Sequence, residues 1–323
     1  MSSRIKQIIL LLLCCLAAAL IVKTDSIALD KKTSSAISHY IMGVISEGTG
    51  DIDTAIQEYK KSLKFDEEAS IIHLNLASSY IKKDNIPEAV EELKTLIRLD
   101  PEVIEPHAIL ALLYTSQDKL KAAAEEYETA LENALKLQPK NIEIYKSLGA
   151  LYLQQKKYKE AEGAYKLIIE LAPENPEAHF YLGGIYNELK NYNLSENELK
   201  ETIRLKPDFA EALNYLGYLW AEENKNLDQA ETMIKKALQL DPDNGAYIDS
   251  LGWIYFRRGK FKEAVKELER ASSLLEDYVI YDHLAEAYLK VHDKEKAKLN
   301  WQKSLKLSPG EEKIRGKLEK INK

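Results

Sequence analysis

Six histidines, two cysteines and 52 acidic residues are what this chain offers for chemistry. His39, His73, His107 and His179 suggest a ligand set at first sight. They are separated by 34, 34 and 72 residues, and each falls at the fourth position of a recurring unit whose other copies carry Tyr145, Leu213, Ile248 and Tyr281 there. Whole-unit separations spread them along a stack, so they read as packing residues. His283 and His292 have no His or Cys at the short spacings a zinc site uses. A Gly-rich phosphate loop, a nucleophile elbow and a zinc-protease helix motif are all missing from the sequence. Carboxylates lie on helix faces beside Lys, where i,i+4 pairing and solvation account for them. No catalytic, cofactor-binding or metal-ligating residue is expected, and no enzyme. Asn193-Leu194-Ser195 would accept a glycan only in a eukaryotic secretory host.

The elements that position side chains are more informative. Residues 245–275, GAYIDSLGWIYFRRGKFKEAVKELERASSLL, read as two amphipathic helices joined by Arg258-Gly259-Lys260. Gly at that joint suits the left-handed conformation of a helix C-terminal cap. Leu251, Gly252 and Tyr255 share one face of the first helix; Ala264, Leu268 and Ala271 share one face of the second. Gly252 and Ala264 mark a close helix approach. A hairpin of this kind cannot bury its own apolar face and needs copies of itself. The counterparts of Gly252 are Gly43, Ala77, Ala111, Gly149, Gly183, Gly217 and Ala285, at intervals of 33 to 38 residues. The counterparts of Ala264 are Ala55, Ala89, Ala123, Ala161, Ser195, Ala230 and Ala297, at nearly the same intervals. Two markers that keep one period over about 250 residues define a repeat array. All nine prolines fall near predicted helix boundaries, where Pro is tolerated.

With Leu-Gly-x-x-Tyr in the first helix, Ala followed by an aromatic or Leu in the second, and Pro near the end, the array resembles the tetratricopeptide repeat (TPR) family. The resemblance implies an all-α, right-handed α-α superhelix of about eight helix-turn-helix repeats. They are expected at 36–69, 70–103, 104–141, 142–175, 176–209, 210–244, 245–277 and 278–311, followed by a capping helix at 312–323. Repeat three is four residues longer, as though residues 132–135 add one turn to its second helix. A solenoid grows by stacking, so no internal boundary is expected. Composition agrees: 45% hydrophobic, 30% charged, with 19 Tyr against 5 Phe. A net charge of −7 argues against nucleic acid as a partner.

Residues 1–28 stand apart. Arg4 and Lys6 precede an uninterrupted apolar run over 8–22, and Ser26-Ile27-Ala28 supplies a small-x-small site. That pattern reads as a signal peptide or an N-terminal membrane anchor, with 29–35 as a polar spacer. Either way the repeats are expected outside the cytoplasm, in the periplasm or cell envelope, because Arg4 and Lys6 stay on the inner side. Cys14 and Cys15 lie inside the run without a lipobox context. Cleavage after Ala28 would leave no cysteine and take the charge from −7 to −9.

The family resemblance further implies that the first helix of each repeat lines a concave groove for a partner protein or peptide. Repeats five to seven present Phe180, Asn187, Asn214, Tyr218, Asp249, Trp253, Phe256 and Arg257 there, with Tyr181 and Tyr215 nearby. Aromatic anchors among amides and a carboxylate suit peptide binding. Of the positions that clamp a chain-terminal carboxylate in some members of the family, only Lys146 matches, and Ala150 lacks the needed amide. The stretch LNYLGYLWAEENKNLDQA…DNGAYIDSLGWIYFRRGKFKEA is similar to the C-terminal repeats of bacterial exported TPR proteins, some of which hold a processing protease near its substrates. The expected role is a non-catalytic envelope scaffold. A regulatory or recruiting subunit of an envelope enzyme, or a self-assembling structural protein, are the rival readings.

Overall fold

The structure is a computed structural model, which describes residues 30–321. The expected signal or anchor segment, its cleavage site and the last two residues of the expected capping helix lie outside the described residues. Seventeen helices and no strand make up the described chain. It divides between Leu137 and Gln138 into two compact units.

The first unit holds α1 (Lys31–Thr49), α2 (Ile52–Leu63), α3 (Ser70–Lys82), α4 (Ile86–Leu99), α5 (Glu105–Ser116) and α6 (Leu120–Leu137). The second holds α7 (Ile142–Gln154), α8 (Tyr158–Leu171), α9 (Pro176–Glu188), α10 (Tyr192–Leu205), α11 (Ala210–Glu222), α12 (Leu227–Leu240), α13 (Gly245–Arg257), α14 (Phe261–Leu274), α15 (Tyr278–Lys290), α16 (Lys294–Leu307) and α17 (Glu312–Ile321). Within each unit, odd and even helices pair as hairpins, and each hairpin packs on the next. Each unit is an all-α stack of helical hairpins, as the repeat pattern leads one to expect.

Two expectations need correction. Residues 31–35 are helical and not a spacer, because the Asp30 carboxylate accepts hydrogen bonds from the Thr33 N–H and hydroxyl and starts α1 there. The array is also not without a boundary. Helix α6 has 18 residues, where the other second helices have 12 to 14. Its last turn outruns its hairpin partner, and Leu137 is left 73% exposed.

Caps and turns explain where helices start and stop. Asn141, Asn175, Asn244, Asp277 and Asp293 each accept backbone N–H bonds in the first turn of the following helix. Gly259 ends α13 at φ +72° as the sequence suggests, yet six of the other hairpin turns place Asp84, Asp118, Lys156, Lys190, Asn224 and His292 in that left-handed region. Gly is thus used for the turn only in the first and seventh hairpins. Its counterparts carry a penalty of about 1–2 kcal/mol each, offset by packing of the flanking helices.

The four periodic histidines do more than fill space. Nδ1 of His39, His73, His107 and His179 lies 2.6–2.7 Å from a carboxylate oxygen of Glu58, Glu92, Glu126 and Glu198. Each pair is 19 residues apart and ties the first helix of a hairpin to its second. The Glu92 carboxylate raises the His73 pKa against the opposing effect of burial.

Gly252 stands at one of the close helix approaches. A Cβ there would stand 2.7 Å from Leu268 Cγ and 3.3 Å from the Leu268 backbone N. Gly252→Leu is expected to destabilise by about 1–3 kcal/mol. Urea denaturation followed by circular dichroism checks this; an unchanged curve would mean that α13 and α14 can separate freely.

No helix of the described residues is long and apolar enough to cross a membrane.

Candidate partner-binding surface

In the second unit the first helices α11, α13 and α15 pack side by side as well as against their own hairpin partners. Their phase is set by local caps: Asn244 opens α13 and Asp277 opens α15. Asp249 and His283 are 34 residues apart, one repeat interval, so adjacent first helices bring them together. His283 Nδ1 is 3.0 Å from both carboxylate oxygens of Asp249, and both side chains are 7% exposed. Burial alone would lower the His283 pKa, but the charge and hydrogen bond of Asp249, helped by Asp282 and Glu222, raise it.

Trp253 is sandwiched beside this pair. Its ring stacks on His283 at 4.0 Å between centroids and on Phe256 at 4.6 Å. Its indole N–H donates to the Glu222 carboxylate. Arg257 donates to the Glu222 carbonyl at 2.8 Å, and its guanidinium carbon sits 5.9 Å from the Trp253 ring centroid. Tyr218 lies 6.2 Å from His283, and burial with nearby Glu222 and Asp249 pushes its pKa upward. A second group surrounds Phe180, which meets Phe209 at 5.0 Å, Tyr181 at 5.7 Å and Tyr215 at 6.3 Å. Burial pushes the Tyr215 hydroxyl up to about 12, while a hydrogen bond with Asn187 opposes the rise.

The expected site residues therefore gather on one run of first helices, but they are not equally available. Trp253, 9% exposed, and Asp249, 5% exposed, belong to the core, because inter-helix stacking and the His283 ion pair occupy their functional atoms. The reading of Trp253 as an exposed anchor is corrected on that ground. Phe180, Asn187, Asn214, Tyr218, Phe256 and Arg257 are half-buried, and Tyr181 is 44% exposed. Two buried polar atoms of this set, Asn214 Oδ1 and Arg257 Nε, have no hydrogen-bond partner among the described residues.

Sequence reasoning missed His283, Glu222 and the carboxylates beyond them. Asp282 accepts from the Trp301 indole N–H at 2.7 Å and from Lys317 at 2.8 Å, and Lys317 also pairs with Glu286 at 2.9 Å. The one-repeat interval between Asp249 and His283 is the signal that could have found their pairing. Lys146 is paired with Glu143 at 2.9 Å and lines a cavity of about 290 Å³ with Ala150, Tyr165 and Tyr181, without an amide beside it. Among the described residues no group of three or more His, Cys, Asp or Glu could hold a metal ion.

Sequence models described as Tetratricopeptide repeat match residues 48–113 and 152–216, 110–176 and 188–245, and 247–277. No curated protein matches the chain. Among solved structures, a tetratricopeptide repeat protein from Parabacteroides merdae ATCC 43184 is 22% identical; the match covers 79% of this chain and 99% of that one, with a TM-score of 0.58. A chain of the Cut9–Hcn1 hetero-tetramer of the APC/C is 17% identical over 92% of this chain and 57% of that chain, again with a TM-score of 0.58. A thermophilic TPR protein of Thermus thermophilus is 20% identical over 56% of this chain and 98% of that one, with a TM-score of 0.48. At these identities the likeness to the first two is one of fold. The repeated helical hairpin, its small-residue contacts and the sequence models that span most of the array agree, and the chain belongs to the tetratricopeptide repeat family.

Proposed function

We propose that this chain is a non-catalytic scaffold that binds a partner protein or peptide on the first-helix face of repeats five to seven. The observation that carries this reading is the row of half-buried rings, Phe180, Tyr218 and Phe256, beside the 44% exposed Tyr181 and among the half-buried Asn187, Asn214 and Arg257 on first helices. The rings suit a partner's apolar side chains, and the half-buried amides and guanidinium among them suit its polar groups. A surface already held in place by core contacts opposes binding with little ordering entropy. The apolar run over 8–22 supports placing the scaffold in the cell envelope, tethered or exported. Recruitment of an envelope enzyme is one form this role could take.

The test is capture from membrane extract by the full chain, beside Asn214→Ala and Phe256→Ala. Asn214→Ala removes no internal bond of Oδ1, so it should fold as the wild type does. The expected result is a partner held by wild type and bound at least about tenfold more weakly by each variant, the loss of one desolvated contact of about 1.4 kcal/mol. Equal retention by both variants would remove the site from this face.

A further inference from the structure

Helix α1 departs from every other first helix of the array. In the repeat register Met42 stands where each of the seven later repeats has a buried leucine, from Leu76 to Leu284. Ile45 stands where the next two repeats bury Ser79 and Leu113. Yet Met42 is 49% and Ile45 52% exposed. The reason is position. Leu76 packs with Tyr59 of α2, and Leu110 and Leu113 pack with Leu93 of α4, so each seam is covered by the preceding second helix. Among the described residues no helix precedes α1.

The uncovered face is wide and almost free of charge. At 100° per residue, Val44, Ile37, Ile41, Ile45 and Met42 span an arc of about 160°. Ile37, Ile41 and Val44 are 43%, 49% and 43% exposed. Ser34, Ser38 and Gly48 fill the gaps between them, and the one charge on the arc is Lys31, in the first turn. No carboxylate falls on it, in a chain with 52 acidic residues.

The neighbouring sequence says what meets this face. Eight residues, 23–30, separate the apolar run over 8–22 from Lys31, and eight extended residues reach about 28 Å at most. With that run in a bilayer, α1 is held close to the headgroups, and on the approach Lys23, Lys31 and Lys32 outnumber Asp25 and Asp30. We propose that α1 lies flat on the membrane, with its Ile37, Ile41, Met42, Val44 and Ile45 face in the boundary between headgroups and acyl chains. This rests on the tether reading above. A face of five half-exposed residues binds a membrane weakly by itself, but a tether makes the contact intramolecular and raises its effective concentration. The opposite side of α1 stays packed on α2 through Ala36, Gly43 and Ser46.

The test uses the full chain in vesicles of phosphatidylethanolamine and phosphatidylglycerol, with p-benzoylphenylalanine in place of Ile41, of Ile45 or, as control, of Leu112. Leu112 is 72% exposed on α5 of the same unit and lies off the proposed face. Alkaline carbonate extraction reads the tether separately. The expected result is a carbonate-resistant chain that forms lipid adducts on illumination from positions 41 and 45 and not from 112. A resistant chain without adducts at 41 and 45 overturns the surface contact and leaves the tether standing. An adduct to a second copy makes the seam an interface between chains and also overturns it. A chain released by carbonate removes the tether reading, and this proposal with it.

Discussion

Replacing Trp253 with alanine is expected to lower the stability of the second unit by about 3–5 kcal/mol, the range for truncating a large buried aromatic. The indole is 9% exposed, stacks on His283 and Phe256, and donates its N–H to Glu222. Its removal opens a void beside the Asp249–His283 pair, so water reaches two buried charges whose mutual attraction depends on its exclusion. Urea denaturation monitored by circular dichroism reads the loss. Trp253→Phe should recover much of the stacking but not the bond to Glu222, and should fall between wild type and alanine. A Trp253→Ala curve that overlays wild type would show that the ring is free for a partner, as the sequence pattern suggests. Because the loss of fold accompanies any loss of binding here, Trp253 is a poor probe of the surface, and Asn214 and Phe256 are better ones.

Asp249→Asn is expected to destabilise by about 3–5 kcal/mol in acid, because it leaves the buried imidazole without its counter-ion. The effect should depend on pH with a definite sign. The pKa of His283 in the folded chain is raised above its unfolded value of about 6.5, chiefly by Asp249 acting against burial. A raised pKa means that the folded state binds the proton more tightly. The stability this contributes is fully present below about pH 6.5 and is lost as pH rises through the folded value. The groups facing the imidazole are Asp249 on α13, Asp282 on its own helix, and Tyr218 and Glu222 on α11. The gap between wild type and Asp249→Asn should therefore be widest in mild acid and narrow as pH rises, read from urea midpoints at a series of pH values. A gap that widens toward alkaline pH would mean that the pair does not hold a charged imidazole. The His73–Glu92 tie in the first unit should add a smaller dependence of the same sign, since the pKa of His73 is raised as well.

The repeat array was legible because its physics is periodic. Small residues at Gly252 and Ala264 and their counterparts recur because two helices must touch there in every hairpin, and the contact is written in residue type. The distance from a Gly252 Cβ to Leu268 Cγ, 2.7 Å, states the same requirement in space. Helix starts at Asn244 and Asp277 were local as well, since a cap is decided within four residues. The extra turn of α6 was legible as a four-residue lengthening; the division that falls at its end, Leu137, was not. The start of α1 was misjudged because one carboxylate, Asp30, sufficed to cap it.

The sequence by itself determined the family, the hairpin period and the helices on which the candidate surface lies, because each of those depends on short-range pattern. Only the tertiary structure decided which of those residues remain available. Trp253 and Phe256 are three residues apart on one helix and have similar chemistry, yet one is core and the other half-buried. The difference comes from His283, thirty residues further along the chain, which arrives from the adjacent helix and covers the indole. The same holds for Met42: its side chain suits a buried seam, and it is exposed because no second helix lies before it among the described residues. Burial is a property of what arrives from elsewhere in the chain, and no local pattern carries it.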